Sequence, residues 1–336
     1  MLDGAIARAW RGRRLGRVPV VTLMPHSRCN CRCVMCDIWK ANRSGASLEQ
    51  AAVVRLVADL RALRVRWVVL SGGEALLHPN LWALCAALKA LPVKITLLSS
   101  GLLLERHAAD IVTWCDEVIV SLDGTAATHD RIRGIAGAYE ALAAGVAALR
   151  RRRAGYPVAA RCVVQRGNFR ELPAIVDAAK GIGLDGISFL GADLASTAFN
   201  RPQGWEDARV DEVGLAPAEC DALDAVIDGM AASHAADFAR RYIQETPTRL
   251  RRIGTQFRAA HGLGPTPPVR CNAPWVSTVV EADGTVRPCF FHDPIGNLRD
   301  GGLADVLNGP AARAFRASLD MDADPVCRRC VCTLKL

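Results

Sequence analysis

Long uncharged apolar runs are missing from this chain of 336 residues. No segment reaches the roughly 18 apolar residues that a membrane-spanning helix needs. Residues 1–17 are basic but lack the apolar stretch of a secretory signal. Aromatic residues are scarce at 5%, and the basic runs Arg8–Arg17 and Arg150–Arg153 lack the aromatic interleaving of single-strand nucleic-acid surfaces. The formal net charge of +8 therefore reads as a solvated face, with nucleic acid disfavoured as a partner. The second basic run closes a helical pattern, where cations meet the negative helix end. Internal repeats and low-complexity segments are also absent. Regular disulfide spacing is absent too: the 13 cysteines are odd in number and bunched near the two ends. In a reducing compartment such bunching means metal or catalysis. These absences exclude a membrane span and a disulfide scaffold, and the expected location is cytoplasmic.

What is present is alternation. With 51% apolar residues the chain can bury a sizeable core, and its length favours one large plus one small domain. Strand patterns at Val18–Leu23, Trp67–Leu70, Val93–Leu98, Glu117–Val120, Val158–Val164 and Gly186–Leu190 alternate with helical ones. The helices are expected at about Ser47–Arg64 (with Ser47 as N-cap), Pro79–Leu91, Leu103–Trp114, Ala138–Arg151 and Phe169–Ile182. Such units require a parallel sheet covered by helices, an α/β class. Polar and glycine-rich residues follow the strand ends, where α/β folds bind ligands. Beyond Gly191, two helices, Ala216–Ala232 and Ala236–Arg251, lead to a Gly/Pro-rich hinge at 262–268. Trp275–Glu281 and Thr285–Pro288 then flank Asp283-Gly284, a hairpin signal. The expected division is a basic segment 1–17, an α/β domain 18–190, a helical connection 191–268 and a cysteine-bearing unit 269–336.

Four cysteines fall between Cys29 and Cys36, directly after the first strand. Cys29, Cys33 and Cys36 are spaced C-x3-C-x2-C, which suits three thiolates around an iron–sulfur cluster with one iron left open. Structural zinc more often uses C-x2-C pairs and four closed ligands, although Cys31 or His26 can supply a fourth. Cys31, midway between its neighbours, is expected to point elsewhere. Gly72-Gly73-Glu74 follows the second strand: two glycines permit close backbone approach, and the carboxylate can accept from an ammonium group. Cys85, Cys115, Cys162 and Cys220 read as small buried hydrophobes. Cys162 is also a weak candidate hydrogen donor, should its strand position face inward.

Together these motifs resemble the radical S-adenosylmethionine (radical SAM) superfamily: Cys29/Cys33/Cys36 with Met35 before the third cysteine, Gly72-Gly73-Glu74, and six strand–helix units over about 18–190. The resemblance implies a partial (β/α)6 barrel and a [4Fe-4S] cluster whose open iron binds the amine and carboxylate of SAM. It implies that Glu74 bonds the SAM amine beside Gly72 and Gly73, and that the backbone at Met35 meets adenine. Ser100 and Ser121 then look toward ribose and methionine, and Arg133 resembles an arginine that pairs with the SAM carboxylate.

The C-terminal cysteines resemble the auxiliary-cluster module of the SPASM and twitch subgroups. Cys271 and Cys289 bracket the hairpin, Gly284 precedes Cys289 as G-x4-C, and Cys327 and Cys330 form a C-x2-C pair. One auxiliary [4Fe-4S] cluster on these four cysteines is implied, with Cys332 left over; a structural zinc knuckle is the bland alternative. The resemblance implies reductive cleavage of SAM to a 5′-deoxyadenosyl radical and hydrogen abstraction from a substrate, with a flavodoxin- or ferredoxin-like electron donor. Residues 1–17 are too few for a leader-binding domain. The expected substrate is therefore a small sugar- or aminocyclitol-like metabolite that is oxidised or epimerised, with Asp123, Arg131 and Gln165 as substrate-binding candidates. The alternatives are a SPASM-type maturase of a ribosomally made peptide, or a non-catalytic iron–sulfur or zinc protein that binds nucleic acid.

Overall fold

The computed structural model describes residues 13–332 and residue 334. The start of the basic segment, including Arg8 and Arg11, lies outside the described residues. Six strands run parallel in sequence order: β1 (Val20–His26), β2 (Trp67–Gly72), β3 (Lys94–Ser99), β4 (Glu117–Ser121), β5 (Val158–Val164) and β6 (Ile187–Gly191). Each pairs in parallel with the next. Helices α1 (Gln50–Ala62), α2 (Leu81–Leu88), α3 (Ala108–Trp114), α4 (Ala126–Arg133), α5 (Ala138–Arg152) and α6 (Leu172–Ile182) make the crossovers. This is a partial (β/α)6 barrel. Val21, Val68, Ile95, Val118 and Val158 are buried, whereas in β2, β4, β5 and β6 the alternate residues are half-buried or exposed, and several of them line a cavity. A void left by truncating a buried strand residue, for example Leu97→Ala, costs about 2–5 kcal/mol.

After β6 come α7 (Asp207–Val213), α8 (Pro217–Ser233), α9 (Ala235–Ala239) and α10 (Pro247–Ala260). The C-terminal unit contains α11 (Ala273–Val276), β7 (Ser277–Val280), β8 (Thr285–Arg287), β9 (Gly296–Asn297), α12 (Leu303–Asn308), α13 (Pro310–Ser318) and α14 (Pro325–Arg328). β7 pairs in parallel with β1, so the hairpin continues the barrel sheet in the order β6-β5-β4-β3-β2-β1-β7-β8-β9. It thereby covers an edge that would otherwise offer unpaired backbone groups. Among the described residues no single helix is long and apolar enough to cross a membrane.

Three expectations are corrected. Ser47 is not a helix cap: its hydroxyl sits 2.7 Å from His26 Nδ1, and α1 starts later, after Glu49. The helix expected over Ala236–Arg251 is two, because Pro247 lacks the N–H and steric room to continue one. It instead opens α10 behind Thr246, whose hydroxyl accepts from Arg249 N. The strand expected from Trp275 starts at Ser277, after the short α11.

Candidate functional site

β1 delivers the chain into the cysteine loop, which is held mainly by its backbone. Asn42 clamps Cys29 from both sides, accepting from its N–H at 3.0 Å and donating to its carbonyl at 2.9 Å. Arg32 N donates to Arg133 O and Val34 N to Ile132 O, each at 2.9 Å, tying the loop to the end of α4. Asn200 Nδ2 and Trp205 Nε1, on the segment after β6, donate to the Asp37 carbonyl and carboxylate. The loop is thus fixed between β1, α4 and the segment that follows β6.

Gly72-Gly73-Glu74 packs directly beneath that loop. Glu74 N donates to Arg28 O at 2.8 Å, and a Cβ on Gly73 would lie 2.1 Å from the same oxygen. Gly72 has a φ of +112° that disfavours other residues. The glycines therefore let one loop approach another, as well as opening backbone toward a ligand. Glu74 is buried, and its carboxylate accepts from Ser100 Oγ (2.7 Å), Ser100 N (2.8 Å), Ser99 Oγ (3.1 Å) and Leu76 N (3.2 Å). Burial raises the affinity of this carboxyl for a proton, against the pull of the Ser100 and Leu76 donors. Glu74 thus stands one layer behind the surface that Ser99 and Ser100 present.

Those serines help line a cavity of about 300 Å³ at the C-terminal ends of the strands, within the usual size range of ligand sites. Cys29, Cys33, Cys36, Met35, Gly72, Gly73, Ser100, Ser121 and Arg133 all face it, so the structure brings the expected SAM-site residues together apart from Glu74. The three substrate candidates are not on this wall. Asp123 is fully buried and paired with Arg133. Arg131 donates to Gly167 O at 3.0 Å, and Gln165 is buried with its amide turned back to Val163 O. Cys162 is also displaced: the pleat of β5 turns Arg161 and Val163 to the cavity and buries Cys162 in the core, beside Asn168. Sequence reasoning missed Arg161, Phe199 and Phe290 on the wall; for Arg161 the period-two alternation of β5 was the available signal.

Cys31 also departs from expectation. It is buried between Cys29 and Cys33, within hydrogen-bonding reach of both. These contacts push its own thiol far up, while the hydrogen bond from Cys31, aided by Arg133 against burial, brings Cys33 down to about 6. Burial pushes Cys36 up to about 12.

The second group assembles from separate elements. Cys271 precedes α11, Cys289 follows β8, Cys327 lies on α14 and Cys330 and Cys332 follow it. His292 Nε2 is 3.3 Å from Cys327 Sγ and 3.7 Å from Asp324 Oδ1, and Asp324 accepts from Cys327 N at 2.8 Å. Burial pushes Cys289 up to about 11 and raises Cys327 and Cys330 as well. Cys332 lines the barrel cavity, which places it between the two groups. The cysteines of both groups are free thiols. Gathered soft sulfur donors suit a thiophilic metal, which would supply the compensating charge where burial holds Cys36, Cys289, Cys327 and Cys330 protonated.

A partial parallel barrel with thiol groups at its C-terminal mouth and on an attached hairpin unit defines a barrel-class protein equipped to hold thiolate-ligated metal. The radical SAM superfamily model matches residues 23–179, and that of an iron-sulfur cluster-binding domain, SPASM, matches 271–331. The chain belongs to the radical SAM superfamily and carries a SPASM-type domain. Its cofactors follow from that membership: SAM, a [4Fe-4S] cluster and auxiliary iron–sulfur in the C-terminal unit. The pre-heme d1 synthase of Dinoroseobacter shibae is 34% identical over 170 residues, spanning 50% of this chain but only 42% of that protein. The PqqA peptide cyclase of Methylobacterium sp. (strain 4-46) is 28% identical over 318 residues, spanning 90% of this chain and 76% of that protein. Among solved structures, Streptococcus suis SuiB bound to S-adenosylmethionine superposes with a TM-score of 0.65 at 13% identity, covering 96% of this chain and 74% of that one. For anSMEcpe with bound AdoMet and Cp18Cys peptide the TM-score is 0.63 at 18% identity, covering 93% and 87%. At such identities the structures share a fold with this chain.

Proposed function

We propose that this chain is a radical SAM enzyme that modifies a ribosomally made peptide by abstracting hydrogen from one of its carbons. The observation that carries the radical chemistry is the packing of the Cys29–Cys36 loop on Gly72-Gly73-Glu74 at the wall of a cavity large enough for a ligand. The choice of substrate moves from a sugar-like metabolite to a peptide because similarity to a PqqA peptide cyclase runs through 90% of the chain. The match to pre-heme d1 synthase covers half of it and is the weaker guide to substrate.

In this reading Cys29, Cys33 and Cys36 hold the [4Fe-4S] cluster, and Cys271, Cys289, Cys327 and Cys330 hold one auxiliary cluster. When bound, the first cluster and SAM supply one-electron cleavage of a carbon–sulfur bond, giving methionine and a 5′-deoxyadenosyl radical. The chain's own work is to bind, orient and exclude water. Glu74 fixes Ser99 and Ser100 so that the cavity presents oriented hydroxyls to the polar end of SAM. Arg133 contributes positive charge on the same wall. Met35, Phe199 and Phe290 supply apolar surface that keeps solvent from a reactive carbon. A flavodoxin- or ferredoxin-like protein is the proposed electron donor.

The test is anaerobic reconstitution with iron and sulfide, followed by SAM, dithionite and a short peptide encoded beside this chain's gene. Formation of 5′-deoxyadenosine with loss of two hydrogens from the peptide is expected. Formation of 5′-deoxyadenosine with the peptide unchanged and a sugar or tetrapyrrole oxidised instead rejects the peptide reading.

A further inference from the structure

Behind the cysteine loop lies a buried ion pair. Asp123, just past β4, is 0% exposed. Its Oδ1 accepts from Val163 N at 2.8 Å, its carbonyl accepts from Asn168 Nδ2 at 2.9 Å, and its N–H donates to His129 Nδ1 at 3.1 Å. Three elements therefore fix it in place. Its Oδ2 pairs with Nη2 of Arg133, the last residue of α4, which is 8% exposed. Arg133 in turn grips the cysteine loop twice. Its carbonyl accepts from Arg32 N at 2.9 Å, and its Nη1 donates to Cys33 Sγ at 3.6 Å. The chain of contacts runs Val163–Asp123–Arg133–Cys33, from a strand to a sulfur.

Stability gives this arrangement a poor reason to exist. Withdrawing two charges from water costs several kcal/mol for each ion, and an apolar pair of similar volume often does as well or better. An N–H donor on a cluster-ligating sulfur has a different use. It draws electron density from the thiolate and so stabilises the reduced, more negative cluster; hydrogen bonds to the sulfurs, net charge and burial are the protein's levers on reduction potential. The guanidinium adds a positive charge in the same direction. Asp123 opposes part of that charge and aims the donor.

We propose that Asp123 and Arg133 form a positioning pair that sets the reduction potential of the SAM-binding cluster through Cys33, Arg133 raising it and Asp123 trimming it. The inference rests on the reading of Cys33 as a cluster ligand. It differs from the resemblance's assignment of Arg133 to the SAM carboxylate, because it requires no contact with SAM.

The test is an EPR-monitored redox titration of the reconstituted full chain without SAM. The relevant signal is identified by its change when SAM is then added. Asp123→Asn removes the opposing charge and keeps one acceptor oxygen, for Arg133 or for Val163 N but not both, so its midpoint shifts to less negative potential. The double variant Asp123→Asn/Arg133→Met leaves no unpaired buried charge and removes the donor, so its midpoint shifts to more negative potential. Shifts of opposite sign at wild-type iron content support the pair. Unchanged midpoints in both variants, or weaker SAM binding as the sole effect, overturn it. Failure of the underlying reading shows differently: Cys33→Ala would then keep its full iron content.

Discussion

The two thiol groups of this chain are built in opposite ways. The first takes four cysteines from a single eight-residue stretch, Cys29–Cys36, and pins the intervening backbone to Asn42, α4 and the Gly72-Gly73-Glu74 turn. The second draws five cysteines from 271 to 332. Its segments are tied back to the barrel side by the pairing of β7 with β1, by Gln256 Nε2 donating to Cys330 O at 2.7 Å and by Leu303 N donating to Asp59 Oδ2 at 2.7 Å. A loop pinned to a barrel can keep its shape without metal. A site assembled from distant segments gains much of its order when a ligand bridges them, because binding free energy then becomes folding free energy. On the proposed reading, the difference suits the first group to precise placement of a reactive cofactor and the second to a unit whose Phe290 and Cys332 reach the cavity wall.

The sharpest way to break this comparison is to remove ligands one group at a time. Cys33→Ala is expected to abolish 5′-deoxyadenosine formation and to lose about four of about eight irons, read by iron assay and product chromatography. Cys289→Ala is expected to lose a similar share of iron. It should retain SAM cleavage within about tenfold while peptide modification disappears. Equal loss of cleavage in both variants would erase the division of labour. Chelation sharpens the same point: removing iron should raise proteolytic cleavage around 271–332 and leave the barrel protected, as mapped by limited digestion.

A smaller effect is expected at Glu74. In Glu74→Gln an NH2 group faces the donors of Ser99 and Ser100, and a buried polar group left unsatisfied costs about 1–3 kcal/mol. SAM binding should weaken by about tenfold or more on that basis, measured by equilibrium dialysis, with cluster content unchanged. The smallest effect is expected at Cys31. Cys31→Ser keeps a hydrogen-bond donor between Cys29 and Cys33, so it should keep its iron and cleave SAM within about fivefold of wild type, a barrier change of about 1 kcal/mol. Loss of iron on that change would make Cys31 a ligand and close the vacancy at which SAM binds.

Legibility followed sequence distance. β5 matches its expected bounds, Val158–Val164, because a run of β-branched and small apolar residues bounded by Pro157 and Gln165 has few other readings. The cysteine loop was legible because its donors are contiguous. The helix Ala126–Arg133 was not: it has little apolar periodicity and ends at Gly134 in the left-handed region, a signal that its polar sequence hides. Cys31 was misjudged because loop backbone direction cannot be read from spacing. Asp123 and Arg133 were each singled out for a ligand, yet the fold pairs them with each other, a contact made only when α4 packs against the end of β4. The parallel pairing of β7 with β1 joins segments more than 250 residues apart, and no local pattern announces it.

The central claim is that the Cys29–Cys36 loop and its glycine-lined cavity perform reductive cleavage of SAM. The most direct measurement is the quantity of 5′-deoxyadenosine formed by the anaerobically reconstituted chain given SAM and dithionite alone. The account predicts its formation, its loss in Cys29→Ala, Cys33→Ala and Cys36→Ala, and its persistence in Cys289→Ala. A chain loaded with about eight irons that forms no 5′-deoxyadenosine would contradict it.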